Sequence, residues 1–168
     1  AASPSLSGVV SPRRRPSSAI DCREIPLLLI GTAMTDIICD IVAGRLDAEV
    51  VWRDETVIAF LDHRPVFKGH VLLAPVGHVA TLTDAPAELI APLFLQVQRF
   101  ADAMVAGLAA DGSFTAVNTV VSQSVPHLHV HVVPRRRKDG LRGFFWPRTK
   151  YADGEAAEYA ERLRLALG

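Results

Sequence analysis

The stretch "SVPHLHVHVVPR", residues 124–135, places three of the chain's six histidines at every second position. Strict alternation of polar and apolar residues is typical of a β-strand with one buried face. Residues two positions apart on a strand share a face. The three histidines are therefore predicted to project together from one side of a sheet: His127, His129 and His131. The apolar residues that alternate with them are predicted to face the core: Leu128, Val130 and Val132.

Four further runs have the composition of strands, and two of them form a hairpin signal. The runs cover residues 49–54, 56–62, 70–75 and 113–118. A short helix is predicted to begin with Thr35 as its cap and Asp36 in its first turn, and to end at Gly44.

A long helix is predicted to begin at Pro86, with one apolar stripe. The residues of that stripe step by three or four: Leu89, Leu93, Val97, Phe100, Met104 and Leu108. Residues 155–167 predict a C-terminal helix. Hairpin strands before one long helix, and more strands after it, predict the α+β class with a mostly antiparallel five-stranded sheet.

Composition excludes several classes of protein. At 168 residues the chain is predicted to hold one domain. Zero net charge argues against nucleic-acid binding. The chain contains no run of 18 apolar residues, so no membrane span is predicted. Two cysteines do not make a disulfide framework, which favours a reducing, cytoplasmic setting.

Residues 1–33 differ from the rest of the chain. They open with a run rich in Ser, Pro and Arg, which predicts a disordered or loosely attached extension. Met34 directly precedes the first predicted helix, so we interpret it as the natural initiator.

Three aligned imidazoles are not explained by packing, because each buried ring needs partners for two nitrogens. One explanation is a metal site, since imidazole suits zinc, iron or copper. The other is nucleophilic catalysis, in which one neutral imidazole attacks phosphorus and its neighbours stabilise the developing charge.

The histidine stretch resembles the His-φ-His-φ-His-φ-φ motif of the histidine triad (HIT) family, where φ is apolar. The resemblance extends over about residues 35–138, because "CDIVAGRLDAEVVWRDETVIAFLDHRPVFKGHVLLAPVGHV", residues 39–79, is similar to the N-terminal half of such a domain. It implies a HIT domain at 34–168 with a C-terminal tail, a HIT-like fold, and a homodimer whose sheet runs across both subunits. It also implies an enzyme that binds a purine nucleotide and cleaves at its α-phosphate through a covalent nucleotidyl-histidine, without a cofactor.

The resemblance also implies roles for individual residues. His129 matches the nucleophile, and His127 and His131 match partners that contact the phosphate and set the tautomer of His129. Gln123 and Ser124 match residues that touch the phosphate and protonate the leaving group.

A second group matches positions that hold the nucleoside. Asp62 matches the acid that accepts both ribose hydroxyls, and His70 matches a support for the phosphate loop. The apolar wall behind the base would be formed by Ile38, Ile41 and Phe60, which could equally be core residues. His63 is predicted to be an exposed loop residue.

The chain departs from the family in two places. Some members hold a structural zinc with Cys-x-x-Cys and two histidines, and the matching residues here are Asp36, Cys39, His78 and His127. Because the first cysteine is missing, packing is favoured over a metal site, although an aspartate can ligate zinc. The second departure is "NTVVSQ", where Asn118 matches the family's asparagine but Ser122 replaces a usual glycine.

The segment after the triad is basic and aromatic. Residues 135–138 could meet the outer phosphates of a polyphosphate or form a solvated loop, and charge runs favour the second. Phe144, Phe145 and Trp146 are predicted to cover the site or to pack on a dimer partner.

The leading functional hypothesis is a hydrolase of a nucleoside phosphoramidate or a dinucleoside polyphosphate. A phosphorylase or nucleotidyl transferase of the same family is a close alternative. A non-catalytic nucleotide-binding module and a mononuclear metalloenzyme built on the three histidines are the alternatives from other classes.

Overall fold

A computed structural model describes residues 20–21, 36–141 and 149–167 of the chain. Its strands are β1 Ile20–Asp21, β2 Val50–Arg53, β3 Val57–Leu61, β4 Val71–Pro75, β5 Gly77–His78, β6 Gly112–Ala116 and β7 Val130–Arg135. Its helices are α1 Ile37–Val42, α2 Ala87–Leu108 and α3 Glu155–Leu167, and a short 3-10 turn spans Leu82–Asp84.

Five strands form one antiparallel sheet in the order β2-β3-β4-β7-β6. The β2–β3 pair is the predicted hairpin, and Asp54 closes its turn by accepting hydrogen bonds from the backbone N–H groups of Thr56 and Val57. The predicted α+β class, with one long helix and a short N-terminal helix, is confirmed.

The histidine stretch alternates between the two faces of the sheet, as predicted. Three residues of this stretch pack against α2 in the larger apolar cluster: Leu128, Val130 and Val132. The regular strand is shorter than predicted, because β7 begins at Val130 and only His131 of the triad lies within it. His127 and His129 precede the strand, where Leu128 N–H donates to the carbonyl of Val79 at 2.6 Å. This hydrogen bond lets the side chains keep alternating between the two faces before the regular pairing of β7 begins.

Helix α2 covers one face of the sheet. Its buried stripe is Leu89, Leu93, Val97, Phe100 and Met104, as predicted. Leu108, the last residue of the predicted stripe, is helical but 43% exposed, and Ala109 turns left-handed directly after it at a φ of 51°. By length and composition alone α2 could span a membrane, a test that core helices of soluble proteins also pass.

Helix α1 is capped by Asp36 and not by Thr35, so the predicted cap was one residue early. The Asp36 Oδ1 atom accepts hydrogen bonds from the N–H groups of Ile38 and Cys39 at 2.8 and 2.9 Å. A carboxylate there satisfies helix donors that otherwise have no partner. The chain leaves the helix at Gly44, whose φ of 70° suits glycine.

Two residues of the N-terminal segment form a second, two-stranded sheet. Strand β1 pairs with β5 in antiparallel register, with Ile20 opposite His78. The other residues predicted to be disordered or loosely attached, and the candidate initiator Met34, lie outside the described residues.

The chain divides into two compact units, residues 1–137 and 138–168. In the second unit, α3 covers the predicted residues, and Glu155 accepts a hydrogen bond from the N–H of Ala152 at the start of the helix. The aromatic residues 144–146 lie outside the described residues.

Candidate active site

A cavity of about 710 Å3 opens on the face of the sheet opposite α2. It brings together seven of the predicted site residues: Ile38, Ile41, Phe60, Asp62, Ser124, His129 and His131. A volume of this size is in the range of small-molecule sites.

The apolar wall of the cavity comes from α1 and β3. Ile38, Ile41 and Phe60 line the cavity and are also members of the smaller core cluster. The sequence left open whether they are wall or core, and the structure shows that the same side chains do both. Packing on the core holds them in place, so the wall is preformed.

His129 has a defined tautomer. Its Nδ1 atom lies 2.6 Å from the main-chain carbonyl oxygen of His127, and the ring is 6% exposed. Because a carbonyl oxygen only accepts, Nδ1 carries the proton and donates it. The Nε2 atom of the neutral ring therefore keeps its lone pair, which is the form that a nucleophilic imidazole needs.

His131 is linked to His70 by a ring-to-ring hydrogen bond. The Nε2 atom of His70 lies 3.0 Å from Nδ1 of His131, and the N–H of Val66 donates to Nδ1 of His70 at 3.3 Å. The proton of neutral His70 then lies on Nε2, so that His70 donates to His131. His131 is left with a proton on its own Nε2.

Burial keeps both rings neutral. Burial, together with the positive charge that His129 or His70 can carry, lowers the pKa of His131 to about 4. Burial also lowers the pKa of His70, against the attraction of the Asp62 carboxylate. Both rings are therefore hydrogen-bond relays at neutral pH rather than cations.

Asp62 follows the end of β3, at the rim of the cavity. Its Oδ1 atom accepts from the N–H of Arg64 at 2.8 Å, and its Oδ2 atom lies 3.3 Å from Nδ1 of His70. The neighbouring His63 also lines the cavity, but its side chain is 75% exposed, as predicted for a loop histidine.

The two residues of "QS" have different surroundings. Ser124 lines the cavity, as His129 does. Gln123 does not line the cavity. Its side-chain amide accepts a hydrogen bond from the N–H of Val120 and donates one to the carbonyl of Ala80. Asn118 follows β6 and is also outside the lining.

His127 is fully buried and points away from the cavity, into a second polar cluster. Its Nδ1 atom lies 3.3 Å from Asp36 Oδ2 and 3.6 Å from Cys39 Sγ, and its Nε2 atom lies 3.0 Å from the carbonyl of Pro75. The link from His127 to His129 thus runs through its main-chain oxygen rather than its ring.

His78 completes this cluster. Its Nδ1 atom lies 3.0 Å from Asp36 Oδ2 and 3.5 Å from Cys39 Sγ. The hydrogen bond with Asp36 raises the pKa of His78 to about 9. Burial opposes a charge on His127, but hydrogen bonds with Asp36 and Cys39 prevail and raise its pKa to about 9 as well.

The four donors fit a divalent metal such as zinc. All lie within 4.8 Å of one another, and the edges of a tetrahedral zinc site with these ligands measure about 3.3–3.8 Å. An ionised aspartate and thiolate together match a charge of +2. The Pro75 carbonyl orients His127 in the way that outer-shell partners orient zinc ligands.

The three arginines after the triad are not at the cavity. Arg135 ends β7, about 20 Å of extended chain beyond His129. Arg136 donates to the carbonyl of Leu108 at 2.9 Å, at the C-terminus of α2. Within the first unit, no residue of 135–137 lines the cavity.

Sequence reasoning missed Leu72, which lines the cavity opposite His131 in the β4–β7 register. Its signal was the two-residue period of "HVLLAP", which places His70 and Leu72 on one face.

The pattern of residues is that of a known domain: the family model described as HIT domain matches residues 43–138. The chain belongs to the HIT family.

Curated relatives of this HIT domain include proteins with named activities. An uncharacterised HIT-like protein of Mycobacterium tuberculosis is 38% identical over 110 residues, which is 64% of this chain and 76% of the relative. The adenylylsulfatase of Arabidopsis thaliana is 28% identical over 62% of this chain, and the asymmetrical bis(5'-nucleosyl)-tetraphosphatase of Schizosaccharomyces pombe is 31% identical over 55% of it. The matches span about half of these two enzymes, 54% and 52% of their lengths. The prediction of an enzyme of the HIT type is confirmed.

Solved structures agree with the fold. A HIT family member from Bacillus subtilis has a TM-score of 0.72 at 31% identity, with 80% of this chain and 98% of that chain covered. A zinc-bound histidine triad protein from Mycobacterium smegmatis has a TM-score of 0.62 at 38% identity, with 74% of this chain and 89% of that chain covered.

Proposed function

We propose that this enzyme hydrolyses a purine nucleotide conjugate at its α-phosphate through a covalent nucleotidyl-His129 intermediate. The single observation that carries the proposal is the 2.6 Å contact from His129 Nδ1 to the His127 carbonyl, which leaves a lone pair on Nε2. This nucleophile is buried at a cavity that also presents a carboxylate, a hydroxyl and a second imidazole.

The proposed reaction has two steps. Nε2 of His129 attacks the α-phosphorus, the bond to the leaving amine or phosphate breaks, and the leaving atom takes the hydroxyl proton of Ser124. Water then attacks the same phosphorus and gives a proton back to Ser124, the bond to His129 breaks, and the nucleoside monophosphate leaves. His131 donates its Nε2 proton as a hydrogen bond to a phosphoryl oxygen, where charge develops.

The nucleoside portion is held by the opposite end of the cavity. Asp62 offers acceptor oxygens to the ribose hydroxyls, and Ile38 and Phe60 form an apolar face against which a planar base packs. Both groups line the same cavity as His129.

The charge of the lining supports a conjugate with one phosphate over a polyphosphate. Asp47, Glu49 and Asp62 line the cavity, and among residues 36–137 none of its lining residues is lysine or arginine. A polyphosphate needs cationic side chains to neutralise its charge. We expect kcat/KM to be higher for adenosine phosphoramidate than for diadenosine tetraphosphate, and the reverse order would reject this preference.

The test of the proposal is to trap the intermediate. Rapid quenching during turnover of a radiolabelled nucleoside phosphoramidate is expected to leave label on His129, in an acid-labile and base-stable bond. His129→Ala should abolish both label and turnover, while Glu55→Gln, an exposed change in the β2–β3 turn, should leave both intact. Turnover by the wild type without label on His129 would sink the covalent mechanism, and turnover only with an added acceptor would identify a transferase.

A homodimer is also proposed. Strand β6 is an edge of the sheet, and α2 exposes the apolar side chains of Phe94, Leu95 and Val105. Pairing of β6 with a second copy would continue the sheet and cover them. Light scattering is expected to give twice the chain mass, and a monomer at micromolar concentration would reject the pairing. The cytoplasmic location stays a prediction.

A structural zinc is compatible with this chemistry. It would be held by Asp36, Cys39, His78 and His127, and it would supply a cross-link between α1, β5 and the histidine stretch. Four protein donors complete a tetrahedron, as in structural rather than catalytic zinc sites.

A further inference from the structure

The loop that enters the cavity is strained. Val120 and Ser122 have φ values of 65° and 61°, in the left-handed region where a side chain crowds the backbone. The N–H of Val121 donates to the carbonyl of Thr119 at 2.8 Å, which closes a three-residue turn around Val120. Such a turn with positive φ is a rare and strained form. Strain of this kind persists only where surrounding contacts enforce it.

Gln123 supplies those contacts. Its Oε1 atom accepts from the N–H of Val120 at 2.9 Å, and its Nε2 atom donates to the carbonyl of Ala80 at 2.6 Å. One side chain therefore ties the strained turn to the neighbouring segment 79–80. A glutamine suits this position because it carries one acceptor and one donor group on the same amide.

Segment 79–80 makes a second hydrogen bond to this part of the chain, five residues after Gln123. The N–H of Leu128 donates to the carbonyl of Val79 at 2.6 Å. Ser124 lies between these two attachments and lines the cavity. The backbone position of Ser124 therefore depends on the attachment made by Gln123.

We propose that Gln123 is a positioning residue, whose amide holds the strained turn at 119–121 against residues 79–80 and thereby places Ser124 in the cavity. This role replaces the phosphate contact that the sequence predicted for Gln123. It also explains how Val120 keeps a positive φ although it is not glycine: the amide enforces a backbone that glycine would adopt freely. Only the part played by Ser124 rests on the proposed function.

The kinetic test uses two leaving groups. Gln123→Glu keeps the shape of the side chain but replaces the donor that faces Ala80 with an acceptor. We expect it to lower kcat about tenfold, the size of one lost hydrogen bond, for an alkylamine phosphoramidate, whose leaving nitrogen needs a proton. For a p-nitrophenyl ester of the same nucleotide, whose leaving group needs none, we expect a much smaller loss. KM should change little for either substrate.

A glycine rescue separates positioning from general damage. Val120→Gly lets the backbone adopt a positive φ at this position without the Gln123 amide. In the Gln123→Glu background it should therefore return most of the lost kcat. Glu55→Gln, an exposed change in the β2–β3 turn, is the control and should change neither kcat nor Tm. Equal losses for the two leaving groups, or a folded double variant without rescue, would overturn the proposal.

A double-mutant cycle of Tm values tests the attachment made by Gln123 without any substrate. Val120→Gly should raise Tm, Gln123→Glu should lower it, and the drop should shrink when both changes are present. Additive Tm shifts would overturn the positioning role of Gln123 even in an active enzyme. A wild type that turns over no nucleotide conjugate would instead reject the proposed function, and the Tm cycle would still test the positioning role.

Discussion

His70 is the buried donor that sets the tautomer of the imidazole facing the phosphate, and its replacement tests that role. It is 2% exposed, with its Nε2 atom 3.0 Å from His131 and its Nδ1 atom 3.3 Å from Asp62. His70→Leu fills the space but removes the donor to His131. His70→Gln keeps an N–H near the position of Nε2 and cannot titrate.

The expected effect follows from the hydrogen bond that is lost. A buried polar atom left without its partner costs about 1–3 kcal/mol, which corresponds to a rate loss of about 5- to 150-fold if the cost falls on the transition state. In His70→Leu the neutral ring of His131 is free to carry its proton on Nδ1, so that Nε2 no longer donates to the phosphoryl oxygen. We expect the loss in kcat to fall in this range for His70→Leu and to be several-fold smaller for His70→Gln.

The assay is steady-state hydrolysis of a nucleoside phosphoramidate, with the Kd of the nucleoside monophosphate measured in parallel. The monophosphate should bind both variants within about tenfold of the wild type, because one hydrogen bond of ordinary strength sets that limit. Full kcat in a folded His70→Leu enzyme would refute the reasoning. So would a His70→Gln enzyme as slow as His70→Leu with an unchanged Tm.

Three further predictions concern stability. Between pH 6.5 and about 4, the unfolded chain binds a proton that folded His131 does not. The contribution of neutral His131 to the free energy of unfolding is therefore complete above pH 6.5 and is lost as pH falls, at up to about 1.4 kcal/mol per pH unit. Plots of the free energy of unfolding against pH, from denaturant titrations of wild type and His131→Gln, should differ in slope by that amount in this window. Metal analysis should find one zinc per chain, and a chelator should lower the Tm of the wild type but not of Cys39→Ser; no zinc and no shift would contradict the site. Leu93→Ala, which empties a fully buried position under the sheet, should cost about 2–5 kcal/mol in denaturant unfolding; a cost below 1 kcal/mol would contradict its place in the core.

Much of the fold could be predicted because periodicity is a local property. The stripe of α2 and the alternation around Leu128 follow from spacing that any buried face imposes. The differences lie at the ends of elements, as at Leu108, where the apolar spacing continues to the last helical residue but the side chain is 43% exposed. The cap at Asp36 was predicted one residue early because Thr and Asp are both good caps and only the hydrogen bonds distinguish them.

The candidate site was predictable in its chemistry but not in its contacts. The sequence presents His127, His129 and His131 as three equal residues on one face. In the fold their rings have three different partners, a polar cluster, a main-chain oxygen and His70. Which ring meets which partner depends on segments distant in the chain, so no local pattern could show it.

The sequence by itself determined the class of the fold, the side of the sheet that carries the histidines and the family to which the chain belongs. These follow from spacing of two and of three to four residues and from a motif that is contiguous in the chain. Only the tertiary structure decided that His129 keeps a free Nε2, that Asp36 meets Cys39 and two histidines, and that Gln123 supports a strained turn. The physical reason is that tautomers, pKa values and enforced backbone angles are set by atoms that lie close in space, whereas the sequence records only closeness along the chain.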